Sequence, residues 1–73
     1  MTAAELRLAR KYLEKTRPEM AALVGRSYRS YQNWELGITP VPSPVSLLVA
    51  RLVSEEKARV GEIAEKVTKG FGG

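Results

Sequence analysis

Seventy-three residues make room for one domain, and a domain this small buries only roughly 60% of the surface its unfolded chain exposes, so its core has to be compact. The absence of cysteine, histidine and aspartate removes disulfide braces and most side chains of acid–base, nucleophilic and metal chemistry, so neither an enzyme nor a bound cofactor or metal is expected. The net charge of +4 sits wholly in residues 1–53, where Arg7, Arg10, Lys11, Lys15, Arg17, Arg26, Arg29 and Arg51 outnumber Glu5, Glu14, Glu19 and Glu35, while basic and acidic groups cancel in residues 54–73; such an arrangement suits a first part that meets a polyanion.

Thr2-Ala3-Ala4-Glu5 has the spacing of a capping box, in which hydroxyl and carboxylate satisfy each other's backbone N–H at a helix start. It predicts a first helix over about residues 3–14, with Leu6, Ala9 and Leu13 facing inward and Arg7, Lys11 and Lys15 on the surface. The pattern recurs at Thr16-Arg17-Pro18-Glu19, where a first-turn proline loses no hydrogen bond. The second helix runs to Val24, with Met20, Ala21 and Val24 inward and Leu23 on the flank, and Gly25 stands where helices end in a left-handed residue. Ser27 caps a third helix to about residue 36, stopped by Gly37. One side of it carries Tyr31 and Trp34; Tyr28, Arg29, Gln32, Asn33 and Leu36 occupy an arc of roughly 140° on the other. Pro40, Pro42 and Pro44 then impose an extended connection. A fourth helix starts near Pro44 or Val45, with Leu47, Leu48, Arg51 and Leu52, and reaches Val53. Ser54-Glu55-Glu56 reads as a further helix start, and Val60, Ile63, Ala64 and Val67 form a stripe at helical spacing. The pattern leaves open whether this stripe belongs to a fifth helix or to the fourth. Residues 70–73, with Phe71 among glycines, read as a frayed end.

Two short helices joined by a glycine-containing turn, the second capped by serine and exposing planar polar side chains, have the layout of a helix-turn-helix. The arrangement has a physical purpose, because the DNA major groove admits one helix whose early residues then reach the base edges. The stretch from Thr16 to Ser27, with Ala21 in its first helix and Gly25 in its turn, is followed by Tyr31 and then Trp34-Glu35-Leu36-Gly37. It resembles the Cro/CI (XRE) helix-turn-helix family of phage and bacterial repressors, over roughly residues 6–53. Within that family the Tyr-x-x-Trp-Glu-x-Gly passage followed by Val-Pro looks most like short phage-type autorepressors, including anti-CRISPR-associated (Aca) proteins. The chain departs from the family at Lys15, a position usually apolar, and in its proline-rich link.

The resemblance implies an all-α fold of four to five helices, like that of lambda repressor. Residues 1–53 form the DNA-binding domain, 54–69 an amphipathic dimerisation element and 70–73 a tail. It implies that Tyr28, Arg29, Gln32 and Asn33 meet bases, and that Thr16, Arg17, Arg26, Ser27 and Thr39 meet phosphates. It also pairs Arg10 with Glu35. Tyr31 and Trp34 read as core rather than as base-stacking rings. The tail stripe is either a two-fold dimer seam or a segment folded back onto the domain, and the seam is favoured because a symmetric pair doubles the contacts on an inverted repeat; Leu36 and Ile38 are candidates to join it. The expected function is therefore a homodimeric, autoregulatory repressor on an inverted-repeat operator, of phage or mobile-element type. It acts in the cytoplasm, with no membrane segment and no small-molecule ligand. Three rivals stand beside it: an antitoxin-type regulator holding a protein partner through the tail, a helical interaction module that never touches nucleic acid, and an RNA binder, disfavoured because a helix fits poorly into the narrow major groove of an A-form duplex.

Overall fold

Three hydroxyls start the first three helices. Thr2 opens α1 (Ala3–Tyr12), Thr16 opens α2 (Arg17–Leu23) and Ser27 opens α3 (Tyr28–Glu35), each side-chain oxygen accepting the backbone N–H three residues on. At Thr2 and Thr16 the box closes, because the Glu5 and Glu19 carboxylates accept the cap N–H at 2.8 and 2.9 Å. Those backbone bonds hold both carboxyls below the ordinary carboxylate pKa. The computed structural model describes the backbone of residues 1–72 and the side chains of residues 1–61, and no strand occurs among the described residues.

The same three helices also end alike. Glu14, Gly25 and Gly37 take φ of 56°, 69° and 75°, and each helix closes with a pair of backbone bonds characteristic of a left-handed stop. Glu14 and Lys15 donate to Lys11 and Arg10, Gly25 and Arg26 to Ala22 and Ala21, and Gly37 and Ile38 to Trp34 and Asn33, over 2.9–3.2 Å. α1 therefore stops at Tyr12 with Leu13 as its cap, two residues before the end its sequence predicts. Arg10 Nη1 also donates to the Lys15 carbonyl at 3.2 Å, so three hydrogen bonds hold Glu14 in a conformation that a side chain disfavours.

The core joins all four helices. Leu6, Met20, Ala21, Val24, Tyr31, Trp34, Val45 and Val49 are buried, with Ala9, Leu13, Val41 and Leu48 packed at the margin. Leu23 is exposed, on the flank its spacing predicts. The Tyr31 and Trp34 rings meet edge to face, centroids 6.1 Å apart, which wedges α3 against α1 and α2.

The last element is one helix, α4 (Ser43–Gly72). Pro44 lies in its first turn, Ser54-Glu55-Glu56 is interior to it, and residues 70–72, read from the sequence as frayed, continue its backbone. Thirty residues make a rod of about 45 Å, whereas the two shorter extents of the molecule are 19 and 18 Å. Among the described residues, burial on α4 is confined to its first part. Val45 and Val49 are buried and Leu52, Val53 and Glu56 half-buried, but every residue from Lys57 to Gly61 is exposed. Val60 lies on this bare part, whereas the side chains of Ile63, Ala64 and Val67 lie outside the described residues. Among the described residues no helix is long and apolar enough to cross a membrane.

Candidate nucleic-acid interface

α2, the turn at Gly25 and α3 make the helix-turn-helix. A methyl group at Gly25 would meet nothing within 4 Å, so glycine is needed there for its backbone angle and not for space. Beyond the turn, α3 presents two chemically opposite sides. Tyr31, Trp34 and Glu35 are buried, while Tyr28 and Arg29 are exposed and Gln32 and Asn33 half-buried. The four side chains expected at base edges thus share one open side of a helix anchored from behind.

The residues expected at phosphates surround that side unevenly. Ser27 and Arg26 lie at the start of α3, where the Ser27 hydroxyl is already engaged: it accepts from the Ser30 N–H at 3.2 Å and donates to the Ser30 hydroxyl at 3.0 Å. Thr39 lies past the other end, exposed, its N–H 3.5 Å from the Asn33 carbonyl. Arg26 and Arg29 make no side-chain hydrogen bond or ion pair among the described residues. The first turn of α3 carries no acidic residue, so the positive end of its helix dipole is not offset there.

Glu35 organises the rear. Its Oε2 accepts from Arg10 Nε at 2.7 Å and its Oε1 from Arg10 Nη2 at 3.3 Å, a bidentate pair on a side chain only 1% exposed. Arg17 Nε donates to the same Oε1 at 3.3 Å, and Arg7 Nη1 donates to the Glu35 carbonyl oxygen. Burial alone would raise the Glu35 pKa, but the Arg10 hydrogen bonds and the charges of Arg10 and Arg17 outweigh it and hold the carboxyl below its ordinary value. The Tyr31 hydroxyl is buried with no hydrogen-bond partner; burial and the neighbouring carboxylate keep it protonated, its pKa pushed well up.

The sequence anticipated the Arg10–Glu35 pair and missed two of its companions. Arg7 is exposed, as read, but its Nη1 also reaches the Glu35 carbonyl at the end of α3; its spacing of three from Arg10, which puts both on one side of α1, was the available signal. Arg17, assigned only to a phosphate, is also held by Glu35 through Nε, with its side chain 41% exposed. No sequence pattern links residues 17 and 35. Lys15, the departure from an apolar position, costs nothing in packing because its side chain is exposed and only its backbone N–H and carbonyl are used.

The model of the Aca2/YdiL-like family matches residues 1–73. The chain belongs to the Aca2/YdiL-like family. This is a family of helix-turn-helix, anti-CRISPR-associated regulators. No curated protein and no solved structure matches the chain. The Aca2/YdiL-like match extends past Val53, where the resemblance legible in the helix-turn-helix stopped, so the second half of α4 belongs to the family pattern as well.

Proposed function

We propose that this Aca2/YdiL-like chain is a sequence-specific, double-stranded-DNA-binding repressor that acts by occupying an operator, with no chemical step. The observation that carries the reading is the open side of α3. Arg29 can present two donors to the N7 and O6 of guanine, Gln32 and Asn33 suit the donor–acceptor pair of adenine, and Tyr28 is placed to meet a thymine methyl or a phosphate. Thr16, Arg17, Arg26, Ser27 and Thr39 are its phosphate contacts, which fix orientation without reading sequence. The protein works as a homodimer on an inverted repeat, in the cytoplasm, and controls its own operon in a phage or mobile element.

Selection of bound duplexes from random DNA tests the reading. The wild type should enrich a two-fold symmetric motif, and Arg29→Ala should lose discrimination at one base pair per half-site, by about 1–3 kcal/mol. Absence of any enriched motif overturns it.

A further inference from the structure

The Glu35 carboxylate serves two arginines and uses them differently. Arg10 commits its whole guanidinium to the protein: Nε and Nη2 form the fork to Glu35, and Nη1 donates to the Lys15 carbonyl at 3.2 Å. Its side chain is 15% exposed, so it fixes the carboxylate and offers little to a ligand. Arg17 is held by one bond, from Nε to Glu35 Oε1 at 3.3 Å, and keeps its side chain 41% exposed. That bond leaves both terminal nitrogens, Nη1 and Nη2, without a hydrogen bond among the described residues. Two arginines on one carboxylate also leave a positive charge over, and it belongs to the more exposed of the pair. A planar edge with paired donors and an uncompensated charge matches the oxygens of a phosphodiester.

The position of the carboxylate adds a second consequence. Glu35 is the last residue of α3 and Arg17 the first of α2. Their bond ties the Arg17 guanidinium to the helix that carries Arg29, Gln32 and Asn33, so a phosphate contact and the base contacts keep one register.

We propose that Glu35 is a positioning residue for DNA binding: it holds Arg17 by Nε so that Nη1 and Nη2 meet one backbone phosphate in register with the bases read by α3. This rests on the DNA-binding reading above and specifies how its Arg17 contact is built. An arginine ordered beforehand does not have to be ordered on binding.

Charge and position predict opposite results for Glu35→Gln. The change deletes a negative charge from a protein that meets a polyanion, so charge alone would tighten binding. Loss of positioning weakens it, by roughly fivefold for each engaged copy of Arg17, the effect of ordering one long side chain. Fluorescence anisotropy measures binding of the wild type, Glu35→Gln, Arg17→Ala and the double variant to the selected motif and to a scrambled duplex, at a temperature where circular dichroism shows the proteins folded. In the Arg17→Ala background Glu35→Gln should cause no further loss, whereas a loss through a weakened fold or through Arg10 would persist. Arg17→Lys keeps the charge but has a single nitrogen, which cannot pair with Glu35 and still present two others; its affinity should lie nearer that of Arg17→Ala than that of the wild type. Should Glu35→Gln unfold, Arg17→Lys carries the test by itself.

The proposal is overturned if Glu35→Gln binds as tightly as the wild type or more tightly, if its loss is as large without Arg17, or if Arg17→Lys equals the wild type. Each of these results leaves selection of a DNA motif intact. Failure to select a motif, with the Glu35–Arg17 coupling still present on the scrambled duplex, removes the base reading alone. A chain that binds no duplex removes both.

Discussion

Glu35 is the buried acidic side chain among the described residues. An unpaired carboxylate there would cost several kcal/mol, so its cost is offset by the Arg10 fork and the Arg17 contact. Glu35→Ala removes the partner of a mostly buried arginine and should lower unfolding free energy by about 3 kcal/mol, at the low end for a broken buried pair because Arg10 keeps some access to water. Urea unfolding measures it. The pH dependence has a definite sign. The folded pKa of Glu35 lies below its ordinary value of 4.5, so its contribution is fully present above pH 4.5 and is lost as pH falls through the folded value. The unfolding midpoint of the wild type should therefore drop below pH 4.5 more steeply than that of Glu35→Gln; equal slopes would remove Glu35 from the acid response.

At the scale of the element, three helices share one stop but not one residue type. Gly25 adopts φ of 69° at no steric cost, whereas Glu14 holds 56° with a side chain. Opposite substitutions should then have opposite signs. Gly25→Ala is expected to lose about 1 kcal/mol through strain alone, since its surroundings are open. Glu14→Gly is expected to gain about 0.5 kcal/mol, the relief of strain exceeding the added freedom of the unfolded chain. Thermal unfolding of the two variants checks both, and two changes of the same sign would contradict the assignment. These stops matter to function because the Gly25 turn sets the angle at which α3 leaves α2.

For the molecule as a whole, excess positive charge and the open side of α3 both belong to residues 1–53, while basic and acidic groups cancel in residues 54–73. A dimer would bring two copies each of Arg17 and Arg26 to the phosphates. Four such contacts correspond to a slope of about −3.6 in log affinity against log salt, or a loss of roughly a hundredfold between about 50 and 200 mM salt. Titration of the selected duplex at several salt concentrations measures the slope. A flat dependence would exclude phosphate contacts as a main source of affinity.

Local physics wrote most of this fold into the chain: Thr2, Thr16 and Ser27 mark helix starts because their oxygens satisfy free N–H groups, Gly25 and Gly37 mark two ends because of their backbone freedom, and apolar spacing picked out Leu6, Met20, Ala21, Val24, Tyr31 and Trp34 as core. Those signals act over three or four residues, so a single sequence carries them. Apart from the Arg10–Glu35 pair, which the family resemblance implied, what joins residues far apart along the chain came only with the packed structure. The contacts of Arg7 and Arg17 with Glu35 span 28 and 18 residues, Glu14 is held left-handed by an arginine whose orientation that carboxylate sets, and α4 runs unbroken past Ser54. None of these follows from short-range spacing alone, because each is decided by which surfaces meet.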